Sequence, residues 1–321
     1  MEESEEDKGD NGTILGDTEK GIWKKRISLK GFYDKNYKRL LIIPFLMLLL
    51  AVLQIGFQTA VTGDFVNKGV SLKGGLTVSI DRVASVAELE NYLNDQFPAA
   101  DISVRALSSA GGQVGVMIEA ADVEADPLME SVQDRLGELD KDEYSVEVMG
   151  SSLGASFFKE TFRAVIIAFL FMGIVVFLYF RIPTPSFAVI LAAFSDIVVT
   201  LAIVNVSGMK IGTAGIAAFL MLIGYSVDTD ILLSTRVLKR KSGTVLEGIL
   251  SAMKTGLTMS MTTLIAILVA LVFAQSLILK QIMVILLIGL LVDLPNTWIQ
   301  NAGILRWYLE RKKKEHITKN E

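Results

Sequence analysis

The chain contains no cysteine and a single histidine in 321 residues. Disulfides and cysteine or multi-histidine metal sites are thereby excluded, while the redox compartment stays open. Phosphate loops, dinucleotide fingerprints, HExxH and GxSxG are also missing. The expectation is therefore a non-enzyme with no cofactor and no metal, and nothing marks a nucleic-acid surface. A cleavable signal peptide is not expected either, because 39 mostly polar residues precede the first apolar run. What the chain does have is apolar length: 51% of it is hydrophobic. That is too much for one ordinary soluble domain and fits several membrane spans, each needing about 20 residues to cross roughly 30 Å of hydrocarbon.

Hydropathy places six spans at residues 40–57, 164–180, 186–203, 211–233, 257–274 and 281–299. Residues 1–39 read as a disordered acidic tail followed by a basic segment with Ile22, Trp23, Ile27, Leu29 and Phe32 between its charges. That segment is either interfacial or the flank of the first span. The layout is then 1–39, a span in 40–60, an exterior domain in 61–155, spans two to six in 156–303, and a basic tail in 304–321. Lys and Arg collect in the N-terminal segment, between Arg236 and Lys254, and after the sixth span, whereas the opposite short loops hold only Lys210 and Lys280. The positive-inside rule puts both termini in the cytoplasm of a multi-pass membrane protein.

Residues 61–163 carry 18 Asp/Glu against 8 Lys/Arg and form the one soluble domain, which must be extracytoplasmic. Alternating apolar residues (Leu76, Val78, Ile80; Ile102, Val104, Ala106; Val114, Val116, Ile118; Tyr144, Val146, Val148) predict four strands. Helical stripes at Val86, Leu89, Leu93 and at Leu128, Val132, Leu136 predict two helices. The order is that of an α+β ferredoxin-like βαββαβ domain, so the predicted fold class is an α-helical six-span bundle with one such exterior domain.

Within the spans the costly residues are the informative ones. Carboxylates in hydrocarbon must be protonated, paired or turned to a wet cavity. In the fourth span, IGTAGIAAFLMLIGYSVDTDILLSTR, Asp228 and Asp230 lie about 200° apart on a helix and cannot share a face. Arg236 follows at its cytoplasmic end, so Asp228 reads as the better candidate for burial and for a proton switch, and Asp230 either as a second ion-coupling candidate or as a boundary residue; the alternative for both is an inter-helix hydrogen-bonding or capping role. Asp196, midway along the third span, reads either as a helper of that switch or as a lock between helices. In the fifth span, KTGLTMSMTT offers Thr258 and Ser260 as a hydroxyl face and Lys254 as a snorkelling ammonium; alternatively the hydroxyls bond their own preceding carbonyls. Asp293, followed by Pro295, reads as ending or kinking the sixth helix. Gly224, like Gly212, Gly215 and Gly289, allows close helix contact.

Five segments in this order resemble the SecF family of protein-export subunits in its archaeal form, within the SecD/SecF and wider resistance–nodulation–division group. They are GVSLKGGLTV at 69–78, GSSLGASFF at 150–158, GYSVDTD with Arg236, KTGLTMSMTT, and LLVDLPNTW in the sixth span. The resemblance implies SecD as a side-by-side partner, association with the SecYE channel, exported polypeptides as substrates, a lipid environment, and a proton-motive contribution in bacterial members. This sequence departs from the bacterial pattern. Thr229 stands where those members carry the fourth-span aspartate, Asp228 matches the position SecD uses, and Thr255 replaces the fifth-span arginine beside Lys254. The implied function is an auxiliary subunit of the Sec translocase; the rival is half of a small-molecule or lipid transporter of the same superfamily.

Overall fold

The computed structural model describes residues 31, 33–109, 112–239, 244–274 and 276–318. The acidic tail and most of the basic segment lie outside them. Among the described residues, six helices are long and apolar enough to cross a membrane. They are α1 (Ile42–Thr62), α5 (Ser151–Phe180), α6 (Pro183–Val206), α7 (Thr213–Leu238), α8 (Val245–Phe273) and α9 (Leu277–Pro295). A π-turn over Asn296–Asn301 carries α9 on into α10 (Ala302–Thr318). The residues after the sixth span are therefore helical to Thr318.

Between α1 and α5 come the short α2 (Val70–Lys73), β1 (Gly75–Ile80), α3 (Val86–Gln96), β2 (Asp101–Ser109), β3 (Gly112–Ala121), α4 (Ala125–Leu136) and β4 (Tyr144–Met149). The sheet order is β2-β3-β1-β4, every neighbouring pair antiparallel. Val78 sits opposite Ile118 on one side and Val146 on the other. Period-two alternation sends Leu76, Val78, Ile80, Val104, Val116 and Ile118 to one face. There they pack with Leu89 and Leu93 of α3 and Leu128 and Val132 of α4 into one core. The other face carries Thr77, Arg105, Glu119 and Glu147 and looks across a cleft at Lys210, Thr213 and Gln281 on the outer ends of the spans.

The domain is fastened to those ends by backbone and side chains together. Ile211 donates its N–H to the Asn67 carbonyl at 2.6 Å, and Gly69 donates to the Ile211 carbonyl at 2.8 Å. The Thr213 N–H, at the start of α7, donates to Ser71 Oγ at 3.2 Å. At the start of α9, Lys280 donates to the Ser108 carbonyl (3.1 Å) and Gln281 to that of Lys210 (2.6 Å). Lys210 Nζ bonds Asp101 at 2.8 Å. Burial opposes the charge on Asp101, but Lys210 and then Lys73 outweigh it and hold the carboxyl below its usual range.

No linker separates β4 from α5. The helix starts at Ser151, 13 residues before the apolar stretch that marked the second span, because Lys159, Glu160 and Arg163 are good helix formers outside hydrocarbon. Gly74, at φ +92°, is required here, since a Cβ on it would stand 2.3 Å from the Cα of Ser151. Gly154 meets Gly74 from the other side, where a Cβ would be 2.8 Å from the Gly74 nitrogen. The two glycine segments quoted for the family resemblance are thus the two halves of one joint.

Candidate functional site

Away from the sheet domain, the bundle interior turns polar. Asp196 of α6, Asp230 of α7 and Asp293 of α9 are each fully buried. So are Asn296, Thr297, Gln300 and Asn301 of the π-turn, and Ser226 and Ser234 are nearly or wholly so. The π-turn follows directly from Pro295, whose ring nitrogen cannot donate to the carbonyl four residues back. Instead of ending the helix there, as its sequence suggests, the chain takes a wider turn and continues. The turn aims Asn296, Thr297 and Asn301 at the carboxylates of neighbouring helices and Gln300 at the Ser195 hydroxyl.

The contacts form two linked groups. Asp196 accepts from Ser226 Oγ in a short hydrogen bond and from Asn296 Nδ2 at 2.7 Å. Asp230 Oδ1 accepts from Asn301 Nδ2 at 2.8 Å and lies 2.9 Å from Thr297 Oγ1. The same Thr297 oxygen is 3.0 Å from Asp293 Oδ1. Gln300 reaches Ser195 at 3.2 Å. Among the described residues no Lys or Arg forms an ion pair with any of the three carboxyls.

Counting donors limits what the shared hydroxyl can satisfy. A threonine hydroxyl has one hydrogen and donates once. It cannot serve Asp230 and Asp293 together unless one of them is itself a protonated carboxyl donating to Thr297. Burying an ion without a counter-ion costs several kcal/mol, which argues in the same direction. The Asp230–Thr297–Asp293 chain is therefore a place where one carboxyl proton would find an acceptor. The remaining oxygens Asp230 Oδ2, Asp293 Oδ2, Asn296 Oδ1, Gln300 Oε1 and Asn301 Oδ1 are buried without a partner. Among the described residues no group of three or more acidic or histidine side chains is arranged to hold a metal ion.

The fourth-span acids are placed opposite to expectation. Asp230 is buried and Asp228 is exposed on the outside of the bundle. The inward face of α7 is Ser226, Val227, Thr229, Asp230, Leu233 and Ser234, and Asp228 falls on the outward one with Met221, Gly224 and Tyr225. A Cβ on Gly224 would meet nothing within 4 Å among the described residues, so this glycine is not needed for a close helix contact there. Ser260 is buried, whereas Lys254 and Thr258 are exposed, and Thr258 donates to the Lys254 carbonyl at 2.8 Å. Arg236 donates to the Ser251 carbonyl at 3.0 Å and ties α7 to α8. The residues missed from sequence are those of the π-turn. Asn296, Thr297, Gln300 and Asn301 repeat at helical spacing, and that stripe is the signal that could have found them.

Gly256 of α8 seals this end, since a Cβ there would stand 2.2 Å from the buried Trp298 ring. Gly256→Ala is expected to destabilise the isolated, detergent-solubilised chain by about 1–3 kcal/mol through overpacking. Gly224→Ala, facing open space, should leave thermal unfolding of the same preparation unchanged.

Comparison with known proteins adds three findings. Residues 129–311 match the family described as protein export membrane protein SecD/SecF, C-terminal. The chain is 39% identical over 292 residues to the protein-export membrane protein SecF of Methanocaldococcus jannaschii, covering 88% of this chain and 99% of that one. It is 38% identical over 287 residues to its counterpart in Pyrococcus furiosus, covering 88% and 95%. Among solved structures it superposes on SecDF of Thermus thermophilus, described as a translocon-associated membrane protein, with a TM-score of 0.67 at 18% identity. That match covers 85% of this chain but 38% of the longer one, and at such identity it speaks for the fold alone.

Proposed function

Because this chain belongs to the SecD/SecF protein-export family as an archaeal-type SecF, we propose that it works beside SecD on the SecYE channel, drawing on a proton gradient to promote movement and release of exported polypeptides. It is an auxiliary, non-enzymatic subunit of the Sec translocase, and family membership sets the efflux-transporter reading aside. The exterior domain is of the ferredoxin-like βαββαβ class, as its element order and sheet order support. Both termini lie in the cytoplasm, which follows from six spans and an exterior loop after the first.

The observation that carries the coupling is the Thr297 hydroxyl shared by Asp230 and Asp293 with no basic residue paired to either. The proton resides there, and Asp196 with Ser226 and Asn296 fixes the surrounding helices. Loss of that proton leaves two facing carboxylates, and their repulsion drives α7 and α9 apart. The outer ends of those two helices hold the exterior domain through Thr213 and Lys280. A shift of one helix against the other is thereby transmitted to the domain that meets the emerging chain. Asp228 and Gly224, outward on α7, form part of the face that SecD covers.

The reading is tested by gentle co-purification from native membranes, where SecD and the channel should elute with this chain; a homotrimer without them would overturn it. Topology is checked cleanly because the chain has no cysteine of its own. Ser85→Cys should react with an impermeant maleimide only from outside, and Ser242→Cys only from inside.

A further inference from the structure

The carboxylate network rests on the π-turn, and the chain that precedes the first span reaches that turn. In an α-helix the Ala302 N–H would go to the carbonyl four residues back, that of Trp298. Here it goes to the carbonyls of Ile299 and Thr297 and passes Trp298 over. The Trp298 carbonyl accepts the Tyr33 hydroxyl at 3.1 Å. A side chain inserted into the helical ladder is one of the identifiable causes of a local break in it. Trp298 directly follows Thr297, whose hydroxyl stands 2.9 Å from Asp230 and 3.0 Å from Asp293. The tyrosine thus grips the backbone one residue from the shared hydroxyl.

Tyr33 is not a loose end that happens to touch the turn. Residues 33–40 are helical and lead into α1, and they are fastened to α10 at three further points. Arg306 donates to Asp34 at 2.5 Å and, through Nε, to Glu310 at 2.8 Å. Its guanidinium lies 4.1 Å from the centroid of the Tyr37 ring, and the Tyr37 hydroxyl donates to Glu310 at 2.6 Å. Leu41 presses on Gly303, where a Cβ would stand 2.8 Å from Leu41 Cδ2. The Tyr33 ring itself packs against the buried cluster that contains Leu233, Trp298 and Leu305. Its hydroxyl is therefore delivered to one place on the turn by a braced helix.

We infer that Tyr33 is a positioning residue for the carboxylate network, holding the Trp298 carbonyl so that the turn stays wide and Thr297 stays between Asp230 and Asp293. The inference rests on the reading of that network as the site of proton exchange. Without the hydroxyl, the Trp298 carbonyl can take back the Ala302 N–H. The turn then tightens toward an α-helix and carries Thr297 and Asn301 away from Asp230. Tyr33 touches no carboxylate and exchanges no proton; it acts through the backbone alone. Asp34, Tyr37 and Leu41 hold it there, which gives the end of the basic segment a task beyond flanking the first span.

The test is Tyr33→Phe, which removes the hydroxyl and keeps the ring in its apolar cluster. In vesicles that carry the full chain with its co-purified partners, the gradient-driven part of export should fall about fivefold, the factor that one ordinary hydrogen bond supplies. Recovery of the complex should stay the same. Thr297→Val is the background that separates positioning from packing. There Tyr33→Phe should cost far less, because the hydroxyl it was placing is already gone. An equal loss in both backgrounds would make Tyr33 a packing residue and overturn the inference. A second readout does not depend on transport. Infrared difference spectra of the same chain should show the carboxyl carbonyl band that Asp230→Asn abolishes, and Tyr33→Phe should shift that band as the Thr297 bond weakens. Full gradient response and an unmoved band in Tyr33→Phe, beside a lost response in Asp230→Asn, would overturn the role of Tyr33 and leave the network in the mechanism. Undiminished response in Asp230→Asn would remove the network from the mechanism, and the band would still decide whether Tyr33 places Thr297.

Discussion

Asp230→Asn should abolish the part of export that responds to a proton gradient while leaving the complex with SecD assembled. The substitution keeps the side chain's size and its Oδ1, so Asn301 and Thr297 retain an acceptor at 2.8 and 2.9 Å. What it removes is the capacity to exchange a proton. Packing is then unchanged to first order, and a loss of gradient response cannot be blamed on unfolding. Asp293→Asn should give the same phenotype, and the double variant should be no worse than either single one, because both acids act on one proton through Thr297. The measurement is export into inverted or reconstituted vesicles with and without an imposed gradient, alongside recovery of the complex in detergent. Undiminished gradient response in Asp230→Asn would remove the network from the mechanism. Thr297→Val offers a sharper probe. It breaks the bridge without touching either acid, so the two carboxyls should titrate independently and the gradient response should fall, though less completely than in Asp230→Asn.

Much of this fold was legible from residue order. Strand alternation and helical stripes located the four strands and the two longer helices of the exterior domain, though not the short α2, since one side of that sheet faces a true core and the period of two holds along most of each strand. The spans were legible for the same reason in another solvent: long apolar runs have nowhere else to go. The inward face of each span was not. In water, the buried face of a helix is its apolar face, but in lipid both faces are apolar and the contrast vanishes. That is why Asp228 and Asp230 could be separated by angle yet assigned to the wrong sides. The third carboxylate was hidden by a different effect. Asp293 stands two residues before a proline, and proline signals a helix end; only the conversion of that break into a π-turn keeps Asn296 to Asn301 inside the bundle. Reading the span as finished near residue 299 cut the polar stripe in half.

The misplacement of Asp228 leads to the second large effect. A carboxylate on the outside of a span has no lipid partner that can satisfy it, so it marks a face that another helix covers. Gly224 lies one turn away on the same face, and a Cβ there meets nothing within 4 Å among the described residues. Small residues of this kind let a neighbouring helix approach closely. Gly224→Trp is therefore expected to leave the isolated chain folded, with unaltered thermal unfolding, and to block association with SecD. Steric overlap at a packed contact costs about 1–3 kcal/mol, and a bulky indole against a close-packed helix belongs at the upper end, so recovery of SecD by affinity purification should fall about 100-fold. Asp228→Asn should weaken association by less, because the amide still offers both donor and acceptor to the partner. Full recovery of SecD with Gly224→Trp would move the interface to another face of the bundle. In that event Asp228 would have to find its partner in ordered water or a lipid head group, and the inward network of Asp196, Asp230 and Asp293 would operate without direct contact to the second bundle.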